Sequence, residues 1–579
     1  MGTELLIMLP SLLISLLIHK EERQTIARVW GISAGIASPI LFIIGYAACL
    51  PMTLKSGTAW MIVLTASLVP LVVMLIASYI SDDGDSGMLP LHMVLTVGIV
   101  VVIGLFTYMS GSELFNASSY SKLLKTSEGK TSDIPSAESS KAIALMDTES
   151  ASKLGDRKIG SLTDVVSQYE IDKDDYEQIN YKGRPVKVAP LRYADIFKWS
   201  GNKDKGVPGY VIVDPTSMDA KFVRLDKGMK YVPSAHFSQN LNRHILSEYP
   251  NVLLINTHFE IDEDGKPYYV STKISHPISV FGGTKVEGVF VTDPVTGKIT
   301  YYSAGKVPSW IDEVYPAEVI CENYNYSVQL SKGFWNSVIG QQGCKKVTEM
   351  KSDDDDDDSA EVDYGYIAKD NDIYIFTGVT SVRNDASNLG FLLANERTGK
   401  AEYIECAGAD EKTAMNAAEG TVQDMKYTAA FPSLVLEKGQ PVYIMTLRDK
   451  SLITKGYACV GAEDYSKIAV ADTQEECIDK YKRLISGGGD TDISLDGSKD
   501  TSDSASGDAV KKDYKPVTVT VDKVLTLDKD GNTYLYIRGK DNKWYHAVFA
   551  DVLDLADVKT GDIIKIEAAD DGSFIMEYR

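Results

Sequence analysis

The sequence has no paired-cysteine metal clip. Its six cysteines show neither CxxC nor zinc-ligand spacing, so no structural zinc site is expected. GxSxG, a phosphate-binding loop and HExxH are also missing, which removes the short patterns of serine hydrolases, nucleotide-binding enzymes and zinc proteases. Basic charge is scarce: 59 Lys and Arg stand against 81 Asp and Glu, a net charge of −22. Such a surface repels phosphate backbones and anionic headgroups, so nucleic acid is not an expected partner. Apolar residues are not scarce. At 44% of 579 residues they suffice for several cores, and a chain of this length predicts several domains.

Charge is nearly absent from four apolar runs near the N-terminus: Leu5–Ile18, Val29–Leu50, Ala59–Ile80 and Leu89–Met109. The last three have about 20 residues each, the length that spans a hydrocarbon core of roughly 30 Å. No basic stretch precedes the first run, and Lys20, Glu21, Glu22 and Arg23 follow it at once, so it does not read as a cleaved signal. These runs predict a transmembrane domain of about four helices over residues 1–110, an integral partner of a lipid bilayer. The basic residues Lys20, Arg23 and Arg28 place their loop in the cytoplasm and the chain beyond Met109 outside it. The runs contain no Asp, Glu, Lys or Arg, which argues for an anchor rather than an ion or proton pathway.

Residues 111–150 are rich in Ser, Lys, Thr and Glu and read as a spacer. The acidic run "SDDDDDDSAE" (Ser352–Glu361) reads as a linker over 351–362, because a calcium site needs fixed oxygens from a shaped loop. A second, Gly/Ser/Asp-rich linker covers 486–512. Between these linkers one phrase recurs. "GVFVTDPVTGKITYY" (Gly288–Tyr302) is matched by "GYVIVDPTSMDAKFVRL" from Gly209 and "GFLLANERTGKAEYIEC" from Gly390, and more faintly by "GYACVGAEDYSKIAVAD" from Gly456. Each is a hairpin by alternation and turn chemistry, each is preceded by a strand, and each is followed by a helical stretch. The spacing predicts β-β-β-α units, two in 151–350 and two in 363–485. It also aligns Tyr249-Pro250 with Tyr315-Pro316, and gives the first unit Met218 where the second has Gly297, implying a different turn.

"VTDPVTGKIT" (Val291–Thr300), "VIVDPTSMDA" (Val211–Ala220) and "LANERTGKAE" (Leu393–Glu402) resemble the PepSY domain, whose antiparallel meander ends in a similar turn and packs on a helix. The resemblance implies a non-catalytic, extracytoplasmic module of the kind tied to regulating peptidases. "LGDRKIGSLTDVVSQYE" (Leu154–Glu170) and "INYKGRPVKVAPLRY" (Ile179–Tyr193) look like a group of Gram-positive bacterial membrane proteins, which implies a location but no chemistry. The tail, 513–579, alternates strands and turns. Its five predicted strands with "KTGDIIKI" before the fourth resemble a small OB-fold barrel.

Candidate reactive residues are few. "HFE" (His258–Glu260) offers two metal ligands on one strand face, with no third in view, and reads as an ordinary strand. "FEIDEDGKPYY" (Phe259–Tyr269) begins like a calcium loop but lacks its later ligands, so a hairpin turn is expected. "GDRKIG" (Gly155–Gly160) lacks phosphate-loop spacing. No catalytic, cofactor-binding or metal-binding residue is therefore assigned, and no cofactor is expected. Cys321 and Cys344 are the expected disulfide. The sequence predicts a multidomain membrane protein: a four-helix anchor, then α+β PepSY-like repeats, then an all-β OB-like barrel. Its expected role is that of a multi-pass, non-catalytic binding, scaffold or regulatory protein with an extracytoplasmic C-terminal region that engages a protein, a peptide or a wall component. The alternative is a cell-surface hydrolase without a recognisable motif.

Overall fold

The computed structural model describes, with short gaps, residues 102–137, 148–350, 361–487 and most of 515–576, together with parts of 31–58. The chain divides into two compact bodies, Met1–Gly497 and Ser498–Arg579.

Four successive sheets, with a two-stranded ribbon of Glu349–Met350 and Glu361–Val362, form the strands described in the first body. Sheet 1 comprises β1 (Glu177–Tyr181), β2 (Arg184–Tyr193), β3 (Val207–Asp214) and β4 (Asp219–Met229), with the short strand Tyr169–Ile171 sharing the outer edge of β2. Sheet 2 is a plain antiparallel meander of β5 (Leu253–Ile261), β6 (Pro267–Ser275), β7 (Lys285–Thr292) and β8 (Ile299–Ser303). Sheet 3 has β9 (Gly365–Lys369), β10 (Asp372–Ser381), β11 (Ser387–Asn395) and β12 (Ala401–Ala409). Sheet 4 has β13 (Ser433–Glu437), β14 (Gln440–Arg448), β15 (Thr454–Gly461) and β16 (Ile468–Ala471).

The glycines that open the recurring phrase share one physical task. A Cβ on Gly209, Gly288 or Gly390 would stand 2.1–2.3 Å from a carbonyl oxygen of the next strand, that of Val223, Tyr302 or Ile404. Only glycine lets two backbones approach so closely. The turns of sheets 2 and 3 also match. Asp293 Oδ1 accepts the Val295 and Thr296 N–H groups, and Asn395 Oδ1 accepts that of Thr398. Gly297 and Gly399 then take φ of +77° and +67°.

Each of these turns docks on the segment leaving the preceding sheet. The Pro294 carbonyl accepts N–H groups of Lys230 and Tyr231 at 2.7 and 2.9 Å, and the Glu396 carbonyl accepts those of Val314 and Tyr315 at 3.1 and 2.8 Å. Tyr231, not Tyr249, is therefore the structural counterpart of Tyr315, which corrects the sequence alignment of the repeats. Met218 also departs from expectation. Its φ is +55°, so the first sheet's turn uses the same left-handed position without a glycine.

The helix ahead of sheet 1, α1 (Thr148–Gly160), packs Ala151 and Ile159 into the core of sheet 1, and the later helices are handed forward along the chain. The helix after sheet 1, α2 (Leu241–Glu248), buries Leu241 and Ile245 in the core that sheets 1 and 2 share around Tyr210, Phe259 and Tyr269. The next, α3 (Ala317–Gln329), packs Ala317, Ile320, Cys321 and Tyr324 on Ile375, Val379 and Leu392 of sheet 3. The helix after sheet 3, α4 (Glu411–Thr421), packs Ala414 and Ala418 in the core between sheets 3 and 4 with Phe391, Tyr443 and Met445. Only the last, α5 (Gln474–Ile485), closes on its own sheet, through Cys477 and Tyr481. The expected self-contained β-β-β-α unit is therefore replaced by units that lend their helices to the next sheet. Alternation along the strands gives sheets 2, 3 and 4 a buried apolar cluster on each side.

Three expectations are corrected. First, the four-helix transmembrane anchor and the multi-pass location do not stand: among the described residues no helix is long and apolar enough to cross a membrane. The longest fully described helices, Thr148–Gly160 and α3, have 13 residues, roughly 20 Å against a hydrocarbon core of roughly 30 Å. Sheets dominate instead. The runs Leu5–Ile18 and Ala59–Ile80, most of Leu89–Met109 and part of Val29–Leu50 lie outside the described residues. Second, part of the expected spacer belongs to the fold. Thr126–Gly129 pairs in parallel with β12, and the Tyr120 ring packs at a tilt against Tyr326, centroids 4.7 Å apart. Third, the tail is a five-stranded antiparallel sheet and not, among the described residues, a closed barrel. Its five strands run in the order Trp544–Val548, Asn532–Gly539, Lys515–Lys529, Ile563–Ala568, Phe574–Met576, and among the described residues no ladder joins the two end strands into a barrel. The acidic linker Ser352–Asp358 and its neighbours, and most of 486–512, lie outside the described residues.

Candidate functional site

Where sheets 1, 2 and 3 meet, polar groups replace apolar ones. In β5, Phe259 and Ile261 face the shared core, so alternation turns His258 and Glu260 to the other face. The two are in contact: His258 Nε2 lies 2.9 Å from Glu260 Oε1, and the residues are 2% and 0% exposed. A loop from beyond sheet 2 closes over them. Glu260 accepts the Asp312 N–H at 3.0 Å and the Glu313 N–H at 3.2 Å, so one carboxylate holds both the histidine and the loop. Asn256, at the bulge in β5, donates to Glu313, whose other oxygen lies 3.8 Å from His258 Nδ1.

Sheet 1 contributes Glu177 from β1 and the preceding Asp175, whose carboxylate accepts the Phe259 N–H at 3.1 Å. Asp312 accepts the Asn180 N–H at 2.6 Å. Sheet 3 contributes Glu396 from the β11–β12 turn, 1% exposed, and Arg397, which pairs with Asp372. Lys187 is buried nearby, donates to Thr148 Oγ1 at 3.1 Å and lies over the Tyr366 ring.

Six carboxyl groups therefore lie among two buried cations, His258 and Lys187, with Arg397 committed to Asp372. Burial alone opposes charge on all of them. It pushes the Glu313, Asp312, Glu396 and Asp175 carboxyls well above the usual range, and close carboxyl neighbours push the same way. Glu177 moves up for the same first reason, against the pull of His258. For His258 burial works against the charge, but Glu313, the Glu260 hydrogen bond and Glu177 outweigh it and hold the imidazolium well above the usual histidine range. The chemistry this permits is proton sharing among enclosed acids around one imidazolium.

The centre of the cluster is buried: His258, Glu260, Asp312, Glu313 and Glu396 are at most 6% exposed, while Asp175 and Glu177 at its side are half-buried. A cavity of about 100 Å³ lies between Leu154, Met218 and Leu452, but none of these carboxyls lines it, and it is smaller than the roughly 300 Å³ of a small ligand pocket. Among the described residues no group of three His, Cys, Asp or Glu side chains has the geometry of a metal site. Of the motifs singled out in the sequence, "HFE" supplies the centre of this cluster. The partners of His258 from 312–313, 175–177 and 396 carry no periodicity or motif that could have announced them. "FEIDEDGKPYY" forms the β5–β6 turn, where Asp262 accepts N–H groups of Asp264 and Lys266 and Gly265 takes φ +79°. "GDRKIG" lies at the end of the helix Thr148–Gly160. Cys321 and Cys344 are free thiols, the first packed on sheet 3 and the second bonded to the Gln329 carbonyl at 3.5 Å, so the expected disulfide is not formed.

No family model matches the chain, and no curated protein does. Among solved structures it aligns with an alpha-L-arabinofuranosidase from Lactobacillus brevis (8% identity, 70% of this chain and 95% of that one, TM-score 0.16). It also aligns with an exo-1,5-alpha-L-arabinanase from a bovine ruminal metagenomic library (10%, 70% and 97%, TM-score 0.16) and a levansucrase complexed with sucrose (8%, 78% and 97%, TM-score 0.17). At these TM-scores the likeness carries no argument about fold or chemistry.

Proposed function

We propose that the chain is a non-catalytic binding or scaffold protein that engages a protein or peptide through its sheets. The observation that carries this reading is the burial of the His258–Glu260–Glu313 centre, 2%, 0% and 6% exposed, within the densest set of perturbed titratable groups described. A hydrolase would need such carboxyls at the wall of a pocket. The cluster acts instead as a polar joint that fixes sheets 1, 2 and 3 together. The resemblance of Val291–Thr300 to the PepSY meander agrees with a binding module.

The surface best suited to a partner is the outer edge of β8. This strand ends sheet 2 and pairs only with β7 among the described residues, and Tyr301 on it is 38% exposed. An unpaired edge can accept an extended peptide as an added strand. A photo-crosslinking amino acid at Tyr301 tests this, with one at the exposed turn residue Tyr465 as the comparison. A partner captured from Tyr301 alone, and lost when Thr300→Pro distorts the edge, is the expected result. Equal capture from both sites, or from neither, would contradict an edge-binding role.

A further inference from the structure

Thr473 caps α5, its hydroxyl accepting the Glu476 N–H at 3.3 Å, and the helix then turns Cys477 inward onto sheet 4. Opposite it, Cys459 sits in β15 in register with Ala469 of β16. Both cysteines are buried, at 0% and 1% exposure. Their sulfurs are 3.1 Å apart, closer than the roughly 3.5–4.0 Å at which non-bonded carbon atoms rest and about 1 Å beyond a disulfide bond. Cys477 Sγ is held in this place by the carbonyls of Tyr457 at 3.4 Å and Ala469 at 3.3 Å. The three remaining buried thiols have other neighbours: Cys321 packs on sheet 3, Cys344 meets Gln329, and Cys406 meets Glu463 at 3.9 Å.

We propose that Cys459 and Cys477 are a disulfide-forming pair that staples α5 to sheet 4, with a small disulfide such as oxidised glutathione as the oxidant. One cysteine thiolate attacks the glutathione disulfide, forming a mixed disulfide and releasing one glutathione thiolate. The second cysteine thiolate then attacks the protein-bound sulfur and releases the other. Two protein thiols are oxidised, one glutathione disulfide is reduced to two thiols, and the two cysteine protons end on the glutathione.

The geometry also sets when this can occur. Neither sulfur is reachable in the folded chain, and burial, reinforced by Cys477 and Glu437, holds the Cys459 thiol well above the usual range. The exchange therefore takes place while α5 is undocked, during folding or in a local opening of the helix. Once made, the bond is shielded from reductant by the same burial. It closes a loop of 18 residues' separation, which shifts the folding equilibrium of this part of the chain roughly 100-fold toward the folded side.

The test uses the full chain, unfolded in urea with reductant and refolded either in reductant or in a mixture of oxidised and reduced glutathione. Free thiols are then alkylated in denaturant and the peptides mapped by mass spectrometry. The expected result is a cross-linked Cys459–Cys477 peptide after refolding in glutathione only, with the other four cysteines alkylated. That sample should also unfold at higher urea. Alkylation of both Cys459 and Cys477 in the glutathione sample, or their linkage to other cysteines, would overturn the proposal. Cys477→Ala should abolish the link without creating another. The map of the unaltered chain decides the question even where that variant folds poorly.

Discussion

The ring of Tyr231 stands 2.6 Å from where a β-carbon on Gly297 would lie, and Tyr315 stands 2.7 Å from the same point on Gly399. A tyrosine leaving one sheet thus seals the turn of the next, at two successive junctions. Alanine at Gly297 or Gly399 would meet two penalties. The left-handed backbone costs about 1 kcal/mol, and displacing the ring about 1–3 kcal/mol more. Gly305 separates the two terms, because its φ is +80° but nothing lies within 4 Å of its added carbon. Urea unfolding should therefore rank Gly297→Ala and Gly399→Ala together, above Gly305→Ala. Equal losses at all three would mean the rings yield freely.

These turns were legible in the sequence because their chemistry is local: a side-chain acceptor and a glycine a few residues apart. Their tyrosine partners were not, since nothing in "KYVPS" or "DEVYPAE" distinguishes a ring that docks on a glycine from any other half-buried tyrosine. The pair His258 and Glu260 was likewise readable as two groups on one strand face. Its meaning depends on Glu313 and Glu177, which the fold brings from other elements. The helices were legible as helices, but their destinations were not, because an amphipathic face such as that of Ala317–Tyr324 does not say which sheet it will cover.

Glu260 holds His258 and two backbone N–H groups from a fully buried position. Glu260→Ala leaves all three donors without that acceptor and should cost about 3 kcal/mol or more. Glu260→Gln keeps one carbonyl oxygen for the loop and should cost less. Denaturant unfolding of both variants checks this ordering. An alanine loss within the few tenths typical of a surface site would show that the joint contributes little.

Glu411 gives the fold a pH dependence of known sign. Burial pushes its carboxyl up to about 7 from the usual 4.5, against the Thr348 hydroxyl it accepts at 3.1 Å. A raised folded value means that the folded chain keeps a proton which the unfolded chain releases. This contribution is whole below pH 4.5 and is lost as pH rises through 7. The span corresponds to about 3 kcal/mol. Glu411→Gln should remove this part of the slope, seen as a smaller fall in urea midpoint between pH 4.5 and 7 than in the unaltered chain. An unchanged slope would show that Glu411 ionises normally.

Carboxyl footprinting tests the enclosure of the cluster most directly. The folded chain is treated with a carbodiimide and glycine ethyl ester, and the amidated residues are mapped by mass spectrometry. Asp164 and Glu149, whose side chains are 62% and 64% exposed, should be modified readily. Glu260, Asp312, Glu313 and Glu396, at most 6% exposed, should be modified only as urea unfolds the chain. Amidation of Glu260 or Glu313 in the folded protein at the rate of Asp164 would show that the cluster is open to reagents, and would contradict the non-catalytic account.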